Sequence, residues 1–474
     1  MPPVPEPKLM LLVENCRLVA TFDDAERELP NCDILIREGK IAAIGAGLRA
    51  SMALSPEVPV IDGRGHVALP GFVNCHHHMF QVLTRSIPLV ANAELFDWLV
   101  GQYKIWIDID GGALRAATIV AMAELLLTGC TTTTDHHYLY PVSQPVDLLD
   151  EQIRVAGEMG MRFYPTRGSM TLGVRDGGLP PMELVEDDDR VLTDYERLVT
   201  TYHDRDPDAM VRIAFAPCSP FNVTERLFRE TASLARKHGV RMHTHLAETD
   251  DEDRYCMERY GRRPLDFVAD LGWEGNDVWF AHCVKLNADE LVRCAKHGTA
   301  IAHCPSSNCR LGSGIAPVAA MLRAGVSVGI GVDGSASNDS GDMLAEVRQA
   351  LLLSRVAGGA QAMTTRTALR VATRGGAKVL GNDALGKLEV GGPADLVLID
   401  LEQYGFAGGA SVDPLTSVLL CGTNHHVAWS IINGRIVVER GKLASHAEKA
   451  IVRACNRATE QLMDSARKRG VTLG

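Results

Sequence analysis

Val67-Ala68-Leu69-Pro70-Gly71-Phe72-Val73 runs without a charge into Asn74-Cys75-His76-His77-His78-Met79-Phe80-Gln81. An apolar, partly β-branched run closed by a polar residue reads as a buried strand ending at Asn74. Side chains alternate along extended chain, so His76 and His78 face one side, and two imidazoles at the mouth of a strand can share a metal ion. Alone, the segment is equally a polar loop in which three histidines fell together. The remaining chain decides between the two.

Outward from this stretch the same pattern repeats. Apolar bodies end in a polar or small residue at Asn74, Asp135, Arg167, Cys218, His245, His282, His303 and Asp333. Val211-Arg212-Ile213-Ala214-Phe215-Ala216-Pro217 and Asp277-Val278-Trp279-Phe280-Ala281-His282 are the clearest cases. Helical segments lie between them, among them Met343–Leu351 with apolar residues at helical spacing. Eight strand–helix units predict an α/β fold, a (β/α)8 TIM barrel over residues 69–385, with its chemistry at the C-terminal strand ends. A doubly wound sheet would gather its ligand at one switch point and not over five strand ends.

Both ends of the chain carry β signals. Leu11–Val13, Cys16–Ala20, Asp33–Ile36 and Lys40–Ile44 are short strand candidates, and Ala394–Ile399 and Val427–Val438 resume the pattern, the last with an Asn433-Gly434 hairpin turn. Residues 1–68 and 386–442 are therefore expected to form one composite β-sandwich domain. In 443–474, Ser445-His446-Ala447-Glu448 predicts a capping box, opening a helix with Ile451, Val452, Cys455, Ala458 and Leu462 on one face. Glu186-Asp187-Asp188-Asp189 reads as a solvated loop and helix start.

Composition excludes several functions. A net charge of −11 and a pI of about 5.8 give no electrostatic footprint for nucleic acid. No run reaches the length of a membrane span, and the proline-rich start, Met1 to Lys8, does not read as a secretory signal. Twelve cysteines without a disulfide-like framework suit a reducing cytoplasm. Barrels of this kind commonly form symmetric assemblies, so a homo-oligomer is expected.

Val240-Arg241-Met242-His243-Thr244-His245-Leu246-Ala247-Glu248 places His245 at a strand end as a third ligand, with Glu248 able to turn back over the metal without binding it. His243 sits one layer deeper and reads as a packed or hydrogen-bonded histidine. His282 and Asp333 end two further strands. Three imidazoles and a carboxylate leave room for water on one ion. No lysine ends the fourth strand, so one metal is expected and not a carbamate-bridged pair. The ligand set suits zinc and iron(II) alike.

This set resembles the amidohydrolase superfamily over nearly the whole chain, in the mononuclear branch that deaminates heteroaromatic rings. The segments His76–Arg85, Arg167–Met170 with Asp176–Pro180, Ala216–Phe221 and Cys304–Gly314 are similar to those of bacterial 8-oxoguanine deaminases, and partly to hydroxytriazine aminohydrolases and isoxanthopterin deaminases. The resemblance implies His76, His78, His245 and Asp333 as ligands, usually of Zn2+, with Glu248, His282 and Asp333 as catalytic groups. It implies hydrolysis of 8-oxoguanine to urate and ammonia. The alternatives are a hydroxy-s-triazine or isoxanthopterin as substrate, or a scaffold without turnover, which would need neither Glu248 nor Asp333. Guanine deaminases carry a strand-four arginine that Ile213-Ala214-Phe215 lacks, which counts against plain guanine.

Substrate contacts are expected from Gln81, which the resemblance places at the ring and whose amide can both donate and accept. Arg167 can hold a ring carbonyl or an anion, or pair with a loop carboxylate. Trp98, Trp106 and Tyr138 can stack on a flat ring or pack helices. Cys218 and Asn222 are weaker candidates.

Overall fold

Asn74, the residue that closes the opening stretch, clamps three strands. Its side chain accepts from the Val332 amide at 2.9 Å and donates to Thr133 Oγ1 at 2.9 Å. The computed structural model describes residues 10–145, 147–421 and 426–474, so the reading of the first eight residues lies outside the described residues.

Eight parallel strand positions form the barrel. They are Phe72–Asn74, then Cys130–Thr133 continued by His136–His137, then Arg162–Phe163 continued by Thr166–Ser169, then Ala214–Pro217, Arg241–Leu246, Val278–His282, Ala300–His303 and Val328–Ile330. Each pairs with the next, and Ile330 pairs with Asn74, so the sheet closes on itself. Closure excludes the doubly wound alternative, since an open sheet keeps two edges. Strands two and three break at Thr134-Asp135 and Tyr164-Pro165. At the first break the Asp135 carboxylate accepts from the Met79 amide at 2.7 Å and from Gln152 at 2.9 Å, which ties the loop after strand one to that after strand two. The strands read as apolar because most are buried on both faces; Val278–His282 is buried at every position.

A nine-stranded sheet is built from both ends of the chain, with strands from Met10 to Pro70 and from Leu396 to Leu443. His66–Pro70 lies between Leu396–Asp400 and Met10–Ala20, so N- and C-terminal strands share one ladder. Asn433 and Gly434 have φ of 49° and 74°, the left-handed pair a two-residue hairpin needs. A buried ion pair joins sheet and barrel, with Arg162 Nε 2.8 Å from Asp395.

The final helix spans Glu448–Lys468 and packs on the helix Gly111–Leu127. Two expectations need correction there. Ala447 is the N-cap and no side chain caps the helix, because the Ser445 hydroxyl is held by His446 Nδ1 at 2.8 Å. Val452 is 48% exposed, and Met463 and Ala466 complete the buried stripe with Ile451, Cys455 and Leu462. Among the described residues, no helix is long and apolar enough to cross a membrane.

Candidate metal centre and active site

Beyond strand one the chain forms a two-residue ladder, His77–His78 against Asp333–Gly334. The Asp333 amide donates to the His76 carbonyl at 3.1 Å. This ladder sets the first and last barrel strands side by side at the mouth. Asp333 Oδ1 then lies 3.3 Å from Nε2 of His76 and 3.3 Å from Nε2 of His78. His245, from strand five, brings its Nε2 to 3.0 Å from that of His78.

The outer hydrogen bonds decide what these nitrogens can do. His78 Nδ1 faces the His136 carbonyl at 2.8 Å, and His245 Nδ1 faces the Cys218 carbonyl at 2.6 Å. A carbonyl only accepts, so each ring must donate from Nδ1 and each Nε2 carries a bare lone pair. His76 is fixed through a relay. His243 Nδ1 donates to the Trp279 carbonyl at 2.9 Å, which leaves His243 Nε2 to accept from His76 Nδ1 at 2.8 Å. His243 is thus a hydrogen-bonded histidine beneath the site, and His76 Nε2 is buried with no hydrogen bond.

Three lone pairs and a carboxylate converge with no proton between them. Protonating a ring would relieve the repulsion, but burial pushes His76 and His245 well below the ordinary histidine range and lowers His78 as well. Burial also works against the Asp333 charge, yet its close approach to His76 and the neighbouring imidazoles holds that carboxyl well below its usual range. A cation satisfies all four groups. Ligands about 2.0–2.1 Å from a tetrahedral zinc stand about 3.3 Å apart, close to the separations seen here. A divalent cation would fit this arrangement, each of the three histidines being held from behind.

Two neighbours reach the same point. His136 stacks on His245 at 4.7 Å and Cys304 joins His76, His282 and Asp333 in a compact group. Burial pushes the Cys304 thiol well above its ordinary value, so without a metal it stays neutral. His136 donates from Nε2 to the Ala216 carbonyl at 2.8 Å, beside the same ligand set.

Over the site, Glu248 Oε2 lies 3.5 Å from His282 Nε2, which in turn lies 3.9 Å from Asp333 Oδ2. Burial pushes the Glu248 carboxyl up to about 7, so it holds a proton near neutrality. Burial works to lower His282, but the Glu248 and Asp333 carboxyls beside it outweigh that and raise the imidazole, so Glu248 and His282 compete for one proton. His282 Nδ1 donates to Asn308 Oδ1 at 2.9 Å, which orients the ring. Glu248 arrives by a turn in which Ala247 takes φ of 51°, held by Glu252, whose carboxylate accepts from the Ala247 and Glu248 amides at 3.0 and 2.8 Å.

A cavity opens above these groups, walled by Leu95, Trp98, Leu99, Tyr138, Phe221 and Leu311, with Gln81, Cys218 and Asn222 as polar or soft contacts. Gln81 donates to the Tyr138 hydroxyl at 3.3 Å and accepts from the Ala336 amide at 3.4 Å. A Cβ on Gly334 would sit 1.8 Å from Gln81 Oε1, so only glycine lets the amide approach. Gln81, Trp98, Tyr138, Cys218 and Asn222 are therefore brought together.

Two expected contacts are not. Arg167 is fully buried behind the wall, paired with Glu186 at 2.7 Å and Asp194 at 2.9 Å, its guanidinium 3.6 Å from the Tyr140 ring centroid. The loop-carboxylate alternative holds, and Glu186 is a buried partner, not part of a solvated run. Trp106 is also fully buried, edge-on to Phe80 at 5.0 Å, with Nε1 donating to Thr84 Oγ1 at 3.0 Å. Its fixed indole packs the helix Leu95–Trp106 and cannot reach a ring in the cavity.

With this geometry in place, the comparisons agree. The family model of the amidohydrolases matches residues 67–437, and the chain belongs to that family as a hydrolase. It is 45% identical to the 8-oxoguanine deaminase of Pseudomonas aeruginosa, over 85% of this chain and 90% of that protein. It is 37% identical to a hydroxydechloroatrazine ethylaminohydrolase of a Pseudomonas strain, over 92% of each, and 36% identical to an isoxanthopterin deaminase of an unknown prokaryote, over 91% and 94%. A crystal structure of the atrazine chlorohydrolase of Arthrobacter aurescens complexed with zinc superposes with a TM-score of 0.88 at 34% identity, covering 95% of this chain and all of that one.

Proposed function

We propose that the protein hydrolyses 8-oxoguanine to urate and ammonia, with zinc at the metal site. The observation that carries the reading is geometric: buried Glu248 and His282 face three bare imidazoles and a carboxylate, beneath a largely apolar cavity edged by Gln81. A slot without an arginine suits a neutral, planar heterocycle, and the likeness to an 8-oxoguanine deaminase favours that ring. Zinc is favoured by the nitrogen-rich donor set and by the zinc in the similar chlorohydrolase.

His76, His78, His245 and Asp333 would hold the ion. When bound, it supplies Lewis-acid charge that makes water acidic near neutral pH. Asp333, with Oδ2 towards His282, is placed to take the proton that water loses. Glu248 gives its proton to the ring nitrogen beside the amino-bearing carbon, so that the electron pair displaced by attack has a destination. His282, held by Asn308, faces both carboxylates and steadies the charge between them. Asp333 passes the proton it took to the amino group, the C–N bond breaks to release ammonia, and the proton of the added hydroxyl returns to Glu248 as the carbonyl forms. One water is consumed and one ammonia leaves.

Residues 1–68 and 386–442 are taken as the composite β domain, 69–385 as the catalytic barrel and 443–474 as the closing helix. Twelve unpaired cysteines fit a cytoplasmic setting, and a homo-oligomer is the expected assembly.

The test is ammonia release from 8-oxoguanine by metal-replete enzyme, with guanine, isoxanthopterin and a hydroxytriazine alongside. Turnover of 8-oxoguanine above the others, lost in Glu248→Gln, is the expected result. Preference for isoxanthopterin or the triazine would replace the substrate and leave the chemistry. Metal analysis of active protein separates zinc from iron.

A further inference from the structure

The barrel face opposite the metal centre carries a second cleft, of about 510 Å3. It opens where strands begin: Ala214 and Arg241 are the first residues of strands four and five, and Trp279 is the second of strand six. Arg205, Arg212, Arg236 and Arg241 line it, with Asp277 as the one carboxylate among the described lining residues. In a chain of net charge −11, that wall inverts the local sign.

The pairing of these arginines is incomplete. Asp277 is committed to Arg236 at 3.0 Å. Among the described residues the other three donate only to main-chain carbonyls: Arg212 to Asp206 at 2.7 Å and Gly381 at 3.2 Å, Arg241 to Asn276 at 2.6 Å, and Arg205 to His238. Nε of Arg212 and of Arg241 is buried with no acceptor. The three guanidiniums are half-buried or exposed, and their free N–H groups line the cleft with no carboxylate of their own, where an anion with several acceptor oxygens can pair with them. Burial pulls the Arg241 guanidinium down to about 10 in spite of the nearby charges of Asp277 and Asp383, as expected of a cation short of an anion.

We propose that this cleft binds a compact, multiply charged oxyanion of the phosphate class, gripped by Arg205, Arg212 and Arg241. Guanidinium forks match the tetrahedral edge of such an anion two bonds at a time. The aromatic floor is closed to a base: Trp279 is 1% exposed with His243 stacked on it at 4.4 Å, and Tyr164 is 3% exposed. That favours a small anion, or the tail of a larger one, over recognition of a nucleoside. The site is separate from the metal centre and independent of the substrate assigned there.

Isothermal titration calorimetry of the metal-loaded full chain, at constant ionic strength, tests it with inorganic phosphate, pyrophosphate and adenosine triphosphate as separate arms. The expected result is saturable one-site binding of phosphate or pyrophosphate. Arg212→Gln and Arg241→Gln should weaken it by about tenfold or more. Arg205 is exposed, so Arg205→Gln keeps the test valid if the half-buried variants fail to fold, and it should weaken binding severalfold. Triphosphate binding as tightly as pyrophosphate marks a nucleotide's tail as the source, and its exclusion marks a free anion; either supports the site. No saturable heat with any arm, affinity unchanged in Arg205→Gln, or binding abolished by chelating the metal would overturn it.

Discussion

Glu252→Gln tests whether the turn that delivers Glu248 is held from behind. Ala247 sits in the left-handed region at φ of 51°, which costs a non-glycine residue about 1–2 kcal/mol. Two amide hydrogen bonds to the Glu252 carboxyl, which burial pushes up to about 7, offset that, each worth about 1–3 kcal/mol. A glutamine keeps one acceptor and turns its NH2 towards the other amide, donor against donor. One bond is lost and the left-handed turn is left with about 2 kcal/mol less support. At 1.36 kcal/mol per decade, kcat should fall by about 10- to 30-fold, with KM little changed. The loss stays below the 10²–10⁴-fold expected of removing the acid itself, roughly by general acid–base precedent. Steady-state ammonia release in a double-mutant cycle with Glu248→Gln is the assay. Because Glu252 acts through Glu248, the substitution should cost almost nothing further once Glu248 is glutamine. Additive losses, or a full effect from Glu252 when Glu248 is already gone, would refute the positioning role.

Asn308→Ala removes the acceptor of His282 Nδ1 at 2.9 Å and should lower kcat by about tenfold, while Asn308→Asp keeps an acceptor and retains most turnover; kinetics of the pair separate orientation from simple destabilisation. Arg167→Met leaves Glu186 buried without its cation, while Asp194 keeps Arg197, and should cost about 3–5 kcal/mol in denaturant unfolding with KM unmoved. A raised KM at unchanged stability would return Arg167 to the substrate. Burial raises the Glu346 carboxyl from an ordinary 4.5 to about 8, so its proton's contribution to stability is complete below about 4.5 and is lost as pH rises through 8. Glu346→Gln should flatten the decline of stability across that window, read as unfolding midpoints from pH 5 to 9.

The barrel was legible because each strand is a short buried run stopped by a polar residue, and the polar stop is the functional side chain. His245, His282 and Asp333 could be placed at the mouth from that pattern alone. What escaped was direction at a distance. Arg167 reads from the sequence as the end of its strand, but the strand runs on to Ser169, and local spacing does not show that the guanidinium turns to Glu186 and Asp194 in the next loop and helix. For Trp106 the sequence leaves stacking and helix packing open; its hydrogen bond to Thr84 and contact with Phe80 settle it as packing. Ser445 had the spacing of a cap but faces a neighbouring imidazole that competes for its hydroxyl. The apolar wall, Leu95, Leu99, Phe221 and Leu311, carries no chemical signal of its own and is recognisable only once the cavity exists.

The seam of the barrel has a consequence in time. His76 and His78 follow the first strand, Asp333 follows the last, and they meet only when Ile330 pairs with Asn74. The neighbouring sheet has the same habit, since His66–Pro70 waits for Leu396–Asp400, which leaves the ribosome more than three hundred residues later. At about 5–20 residues per second, the first histidines spend roughly a quarter of a minute to a minute without their partners. On the proposed ligand set, metal capture would belong to the end of synthesis, as the rivet on a ring that has just been bent shut.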